Sequence, residues 1–559
     1  MSARSTRKSC LALLWAVLAA CGRVETRKVE QAGEASCPGV AFAVGCGDRT
    51  CDARAGEDPV SCPADCTDAT VRSYNQQTLC ERVAALVEPA SVPELQAVIR
   101  RARAEQRPVR VIGRRHTSNA QLCSDGYVVS TAKLGQALHI ERFEGVETVV
   151  TEPGIRLGDL NDWLDARGRS LGFAVLGTRD PTIAGAIATG SHGSSPRHSD
   201  VLSNLVQSID LVGADGELHE YSRGRTPPAV WKTLTASLGL AGVMTRLRLR
   251  IEPSFNLGVE VTYHGDFELG RGAGPIDYVR ECDYGQLNWF PGQHRVVKTC
   301  GVRSELPRQV GATNRLLAPD FAAWISGPAE RALQHGSCRA AFNCRVLERL
   351  RLRQFVTTPP FFRKMHVDSA DRSQHFVVGG GARMMSSELT DLQEGIVQHD
   401  FELAIPAQNA AAAFAAARRY FEAEDLCFPL VGVFIRFARV EDESWLAHTG
   451  ASGLFRAGDT AVFFEMPIYI PAGISDARMA EYLRPYKEWV RRLIVDFGAR
   501  PHWGKNDAWV FDLQDPAAAY GAAWGSFRAA IAELDPSGMF ANPWLVARGL
   551  RAAPEESPR

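Results

Sequence analysis

The 559-residue chain has no surplus of either charge: 63 Lys and Arg stand against 64 Asp and Glu, a formal net charge of −1. A balanced chain exerts no bulk pull on nucleic acid, so recognition must reside in a site rather than in an overall field. No apolar run is long enough to cross a bilayer comfortably. The one that comes nearest, Leu11–Ala20, is about half the ~20 residues a spanning helix needs. There is no short-period repeat, which argues against a solenoid. No G-x-G-x-x-G follows a strand and opens a helix, which disfavours a Rossmann-type NAD site. Of the 14 cysteines, Cys282, Cys300, Cys338, Cys344 and Cys427 have no local base motif beside them, so none of these reads as a catalytic thiol. What remains is an ordinary globular balance, 45% hydrophobic and 23% charged, in a chain long enough for two or three domains.

The first segment stands apart from the rest. Residues 1–21, "MSARSTRKSCLALLWAVLAAC", have a basic start (Arg4, Arg7, Lys8), a short apolar run and Leu18-Ala19-Ala20-Cys21. This pattern reads as an export signal ending in a lipobox, with Cys21 the lipid-bearing first residue of the mature chain; a plain signal peptide is the alternative. The expected location is an exported, membrane-anchored lipoprotein, periplasm-facing or in an outer membrane. Residues 22–36 are a polar tether. Residues 37–66 gather Cys37, Cys46, Cys51, Cys62 and Cys66, which in an exported chain reads as a small disulfide-stapled module, with a zinc site as the competitor. Its acidic residues, Asp48, Asp52, Glu57, Asp58 and Asp65, read as a solvated surface before they read as calcium ligands.

From about Val71 the texture alternates between helix and strand. "SVPELQAVIRRARAEQ" is an amphipathic helix with Ser91 as N-cap and Glu94 three residues on, the capping-box spacing. "PVRVIG" and "GYVVST" are strands. "LVQSIDLVGADGELHEYS" is a hairpin turning at Asp215-Gly216. "TIAGAIATGSHGSS", residues 182–195, exposes main-chain N–H groups and hydroxyls that suit a pyrophosphate, although such loops also serve tight packing. "RPHWGKND", residues 500–507, brings a His, a Trp and a Lys together, and a lysine there can stabilise developing negative charge.

Taken in order, "VRVIGRRHT", "LGTRDPTIAGAIATGSHGSS", "SLGLAGVMTRLRL" and "PHWGKNDAWVFD…DPSGMFANPW" resemble the vanillyl-alcohol-oxidase-type flavoproteins. Within them the chain is similar to the aldonolactone oxidases, the L-gulonolactone and D-arabinono-1,4-lactone oxidases, with the plant-type branch nearest. "YGQLNWFPGQHRVV", "GARMMSS" and "GVFIRF" follow in the same order. The resemblance covers about residues 71–547. It implies an α+β fold: a two-subdomain PCMH-type FAD-binding domain at 71–253, an α+β cap domain carrying the substrate side at 254–499, and a C-terminal segment, 500–548, that returns to the flavin.

The same resemblance implies FAD as cofactor, bonded through His116 to the flavin 8α carbon. Gly113, Arg114, Arg115 and Thr117 would form the first flavin loop. Thr182, Gly185, Thr189, Gly190, Ser191, His192 and Gly193 would form the second, phosphate-facing loop, with Val243 and His502 also against the cofactor. Lys505 would favour the anionic reduced flavin, and Arg436 would orient the substrate. The implied reaction is hydride transfer from a CH–OH of a sugar lactone or polyol to flavin N5, with O2 as acceptor. The alternatives are a dehydrogenase using a quinone or cytochrome and a non-catalytic surface lipoprotein. The chain departs from several relatives at Phe434, two residues before Arg436, where they place a glutamate. Glu402 and Glu465 are the carboxylates that could substitute, unless they form a structural ion pair. Cys80 and Cys123 match cysteines of the plant-type branch and imply a disulfide involving one or both.

Overall fold

In the computed structural model, the described residues are 69–173, 178–199, 201–315, 376–384, 396–426, 431–471 and 475–551, with positions 345, 348–349, 352, 366–368 and 428 besides. The expected signal, tether, Cys-rich module and Cys21 anchor lie outside them.

A small parallel sheet opens the fold. Its strands are β1 (Ala85–Val87), β2 (Val109–Ile112) and β3 (Tyr127–Ser130), in the order β1-β3-β2. Helix α1 (Val92–Ala104) crosses between β1 and β2. It starts as its sequence dictates. Ser91 Oγ accepts from the Glu94 N–H at 3.3 Å, while Glu94 Oε2 accepts from the Ala90 N–H at 2.8 Å, satisfying donors that the helix start leaves free. Its buried face is Leu95, Val98, Ile99 and Ala102, the spacing of a helical stripe.

The second sheet is antiparallel. Its strands are β4 (Ala137–Phe143), β5 (Val146–Thr151), β6 (Val206–Val212), β7 (Leu218–Ser222) and β8 (Val243–Arg250), in the order β7-β6-β8-β5-β4. The hairpin between β6 and β7 turns at Asp215-Gly216, with Gly216 at φ +81°, a region open to glycine at no steric cost. Helix α2 (Leu157–Asp165) and helix α3 (Ile183–Ala188) pack with this sheet in one apolar core that includes Leu160, Ile187, Trp231 and Leu247.

The third sheet has eight strands: β9 (Asn256–Gly265), β10 (Tyr284–Phe290), β11 (Arg295–Ser304), β12 (Phe376–Gly380), β13 (Ile396–Ile405), β14 (Val433–Arg439), β15 (Thr460–Pro471) and β16 (Arg500–Pro501). The order is β12-β9-β11-β10-β14-β15-β13-β16. Helices α4 (Ala407–Ala423) and α5 (Asp476–Phe497) cover one face. Small residues Ala410, Ala413 and Ala417 let α4 lie close, while Phe414, Phe421 and Trp489 fill the layer. Gly498, left-handed at φ +65°, ends α5 and turns the chain into β16. That short strand pairs Pro501 with Leu403, and so delivers residues 502–506 to the opposite face of β13.

Two disulfides are formed among the described residues, Cys80–Cys123 and Cys282–Cys300. The first joins Cys80 to Cys123, where a disulfide involving one or both was expected. No helix among the described residues is long and apolar enough to cross a membrane.

Candidate functional site

One crevice collects main chain and side chains from all three sheets. On one side stands the loop after β2, residues 113–118. On the other stands the segment at the start of α3, from Thr182. The two approach so closely that a Cβ at Gly113 would lie 2.1 Å from Thr182 Oγ1. Only a glycine lets these loops meet here.

The first loop is held from several directions. Arg115 adopts φ +60°, a costly backbone state for a residue with a side chain. Its carbonyl accepts from the Tyr74 N–H at 2.8 Å, and the Tyr74 ring stacks on the His116 imidazole at 4.3 Å. His116 Nε2 lies 2.8 Å from Asp180 Oδ2, while Arg114 Nε donates to Asp180 Oδ1 at 2.9 Å. Burial works to raise the Asp180 carboxyl, but the hydrogen bond and charge of His116 and the Arg114 guanidinium outweigh it and hold it below its ordinary value. The loop is also sewn to the C-terminal segment. The Ser118 N–H donates to Gly504 O at 2.9 Å, and Asn119 Nδ2 donates to Trp503 O at 2.9 Å.

Beneath the loops the eight-stranded sheet presents charge. Phe434, Glu465 and Glu402 lie directly opposite one another across β14, β15 and β13, so their side chains share one face. Arg436 Nη2 donates to Glu402 Oε1 and Glu465 Oε2, both at 2.6 Å. Lys505 Nζ reaches Asp400 Oδ2 at 3.0 Å, Glu402 Oε2 at 3.2 Å and Glu465 Oε1. His192 Nε2 lies 2.8 Å from Glu402 Oε1. The segment carrying Lys505 is fixed by β13 itself: the His502 N–H donates to Glu402 O at 3.0 Å, and the Asn506 N–H to Asp400 O at 3.2 Å.

Ionisation follows from this packing. Burial alone would neutralise Lys505 and Arg436, but the Asp400, Glu402 and Glu465 carboxylates around them raise both and keep them charged. Glu402 is desolvated yet held well below its ordinary value by Lys505, Arg436 and His192. Asp400 goes the other way. Burial, reinforced by Glu465 and Glu402, pushes it up to about 7 against the pull of Lys505. His502 is pushed down to about 3 by burial, and its Nδ1 accepts the Gly504 N–H at 2.9 Å.

Most of the residues expected at the cofactor line this crevice: Gly113, Arg114, Arg115, His116, Thr117, Thr182, Gly185, Thr189, Ser191, His192 and His502, together with Lys505 and Arg436. Three do not. Val243 is 1% exposed and packs into the core beneath the parallel sheet, because strand alternation turns it away while its neighbours Gly242 and Met244 face the crevice. Gly190, at φ +69°, forms a turn packed on Ala447, and Gly193 lies past the lining. His192 is on the crevice wall, but its imidazole serves Glu402 and stacks on Phe463 at 3.4 Å rather than presenting itself to a phosphate. The sequence reading missed Tyr74, Asp180 and Asp400. Asp180 stands two residues before Thr182 within the loop motif, whereas Tyr74 and Asp400 carry no local signal.

The walls fit a flavin dinucleotide. They offer two loops that touch at Gly113 and Thr182 and line the crevice together, the hydroxyl residues Thr117, Thr189 and Ser191 on one side, and the Lys505 ammonium and Arg436 guanidinium, each held by carboxylates, on the other. In comparison with known proteins, the FAD binding domain family matches residues 83–222, and the D-arabinono-1,4-lactone oxidase family matches residues 249–548. A putative D-arabinono-1,4-lactone oxidase of Neurospora crassa is 25% identical over 82% of this chain and 82% of its own length. An L-gulono-1,4-lactone dehydrogenase of Mycobacterium tuberculosis is 24% identical over 82% of this chain and 94% of its own. Among solved structures, cholesterol oxidase from B. sterolicum superimposes with a TM-score of 0.68 at 14% identity, over 86% of this chain and 97% of that one, a likeness of fold.

Proposed function

Because the chain belongs to the D-arabinono-1,4-lactone oxidase family and carries its FAD-binding domain, we propose that it oxidises the CH–OH of a sugar 1,4-lactone, with O2 as the electron acceptor. The observation that carries this reading is the meeting of the two flavin loops with the Lys505–Arg436 pair in one crevice. Bound FAD supplies the ring that accepts the hydride. The chain's own residues do the rest. Lys505 sets a fixed positive charge where electron density arrives. Arg436, clamped by two carboxylates, is an oriented donor for a substrate oxygen. Glu465 supplies from the neighbouring strand the carboxylate that Phe434 does not.

The charge at this end also selects substrate. Three carboxylates surround Lys505 and Arg436, which among the described residues at this end leaves no unpaired positive charge for an anion and favours a neutral ring over its hydrolysed acid. We expect sugar 1,4-lactones to be turned over at least about tenfold faster than the corresponding aldonates, a difference of roughly 1.4 kcal/mol. A peroxide-coupled assay on both forms checks this and the acceptor together. Lactone oxidation that produces no peroxide and requires an artificial acceptor would replace the oxidase reading with a dehydrogenase one. Equal rates for lactone and aldonate would contradict the charge argument.

We read His116 as the covalent attachment point. Asp180 engages Nε2, which fixes the N–H there and leaves the Nδ1 lone pair for the flavin carbon. Acid precipitation should carry the yellow colour into the wild-type pellet and leave it in the supernatant for His116→Ala. We also read Cys21 as lipid-bearing, on the strength of the basic, apolar and Leu-Ala-Ala-Cys order. Incorporation of labelled palmitate that is lost in Cys21→Ser would support it.

A further inference from the structure

The reaction releases a hydroxyl proton that nothing above accounts for, and resting on the lactone-oxidising reading we infer that Asp400 is the group that takes it. Asp400 lines the crevice on β13. Its Oδ2 holds the Lys505 ammonium at 3.0 Å, the group assigned to the reacting end. Its Oδ1 is buried and has no hydrogen-bond partner among the described residues, an acceptor that a donor has to satisfy.

The neighbouring carboxylates are placed differently. Glu402 shares its oxygens among His192, Arg436 and Lys505 and is 1% exposed. Glu465 bridges Arg436 and Lys505. Each is bound to two or more cationic or imidazole groups, which disfavours proton uptake, whereas Asp400 has one cationic partner.

The charged groups facing Asp400 come from every side. Glu465 and Arg436 stand on neighbouring strands, Lys505 on the C-terminal segment and Glu402 on its own strand. The like charges raise its proton affinity toward neutrality, where a general base works best. Two buried carboxyls two residues apart on one strand are thereby split into a permanent anion, Glu402, and a proton carrier, Asp400.

The step balances. The substrate carbon gives up its hydrogen with the bonding electron pair, which FAD, when bound, would accept. Its oxygen loses a proton to Asp400, and the C–O bond becomes a carbonyl. Asp400 ends neutral, and Lys505 remains an ammonium throughout. Below a pH of about 7 Asp400 already holds a proton, so the reductive step slows as pH falls and reaches a plateau above.

The test is anaerobic flavin reduction by a lactone across about pH 5–9, in the wild type and in Asp400→Asn. The wild type should show a limb near neutrality. The variant should keep its flavin, lose the limb and react about 100-fold or more slowly. A variant within about threefold of the wild type with the same limb overturns the assignment. Should Asp400→Asn fail to fold, pH-difference infrared spectra of wild-type holoenzyme carrying isotope-labelled aspartate decide the matter without substrate. An aspartic acid C=O band titrating near neutrality supports the proposal, and no such band overturns it. Failure of every lactone to bleach wild-type flavin would instead defeat the functional reading, which separates the two.

Discussion

Lys505→Met slows flavin reduction by a saturating lactone about 100- to 1,000-fold, the size of losing one preorganised charge at a reacting centre. The reason lies in how the ammonium is held. It lies against three carboxylates, and its segment is hydrogen-bonded to β13 through the His502 and Asn506 N–H groups, so it does not reorganise as charge develops. Removing it also leaves Asp400, Glu402 and Glu465 with Arg436 as their remaining close cation. The Lys505 ammonium is the strongest influence lowering the Asp400 carboxyl, so the pH limb of the residual reaction should move upward as well. The flavin loops contain none of these bonds, and cofactor content should stay near that of the wild type. Stopped-flow reduction traces across pH check both effects. A rate within about threefold, or a limb that does not move, contradicts this account of the ammonium.

Arg110→Met should cost about 4 kcal/mol and lower the thermal midpoint by about 5 °C or more. Arg110 is 3% exposed and sits in β2, just ahead of the first flavin loop. Its guanidinium donates to Gln121 O at 2.7 Å, Phe540 O at 2.6 Å and Leu238 O at 2.7 Å. Burial lowers its pKa to about 10, which leaves it charged at neutral pH. These bonds join the first loop, the turn before β8 and the C-terminal segment. Methionine fills similar volume but leaves three buried carbonyls short of a donor. Calorimetry of holoenzyme and variant checks the midpoint. An unchanged midpoint would mean that the three segments are fixed by other contacts.

Local patterns in the sequence were enough to place helix α1 and the Asp215-Gly216 hairpin, because capping and alternation act within a few residues, whereas both flavin loops came from the ordered resemblance of their motifs to a family. The site was legible where a motif was contiguous: His116 in "GRRHT", Thr182 to His192 in the small-residue loop, and His502 and Lys505 in "PHWGK". It was not legible where strand register made the contact. Glu402 and Glu465 are 63 positions apart in the chain, yet stand opposite each other across β13 and β15. Only that pairing shows that both hold Arg436, and that a carboxylate faces Phe434 from next door. Asp400 is hidden for the same reason, since a strand aspartate gains its character from Lys505, which is more than a hundred residues away. Val243 shows how fine the phase is: its side chain packs into the core, while Gly242 and Met244 on either side of it line the crevice.

Function depends on a flavin lodged in the crevice that the touching Gly113 and Thr182 loops line. The visible absorption spectrum of purified full-length protein, with flavin quantified against polypeptide, tests this most directly. The prediction is one FAD per chain in the wild type and a marked loss when Gly113→Val drives a side chain into Thr182. A wild-type protein that is colourless and takes up no FAD when it is supplied, or a Gly113→Val variant with full flavin content, would contradict it.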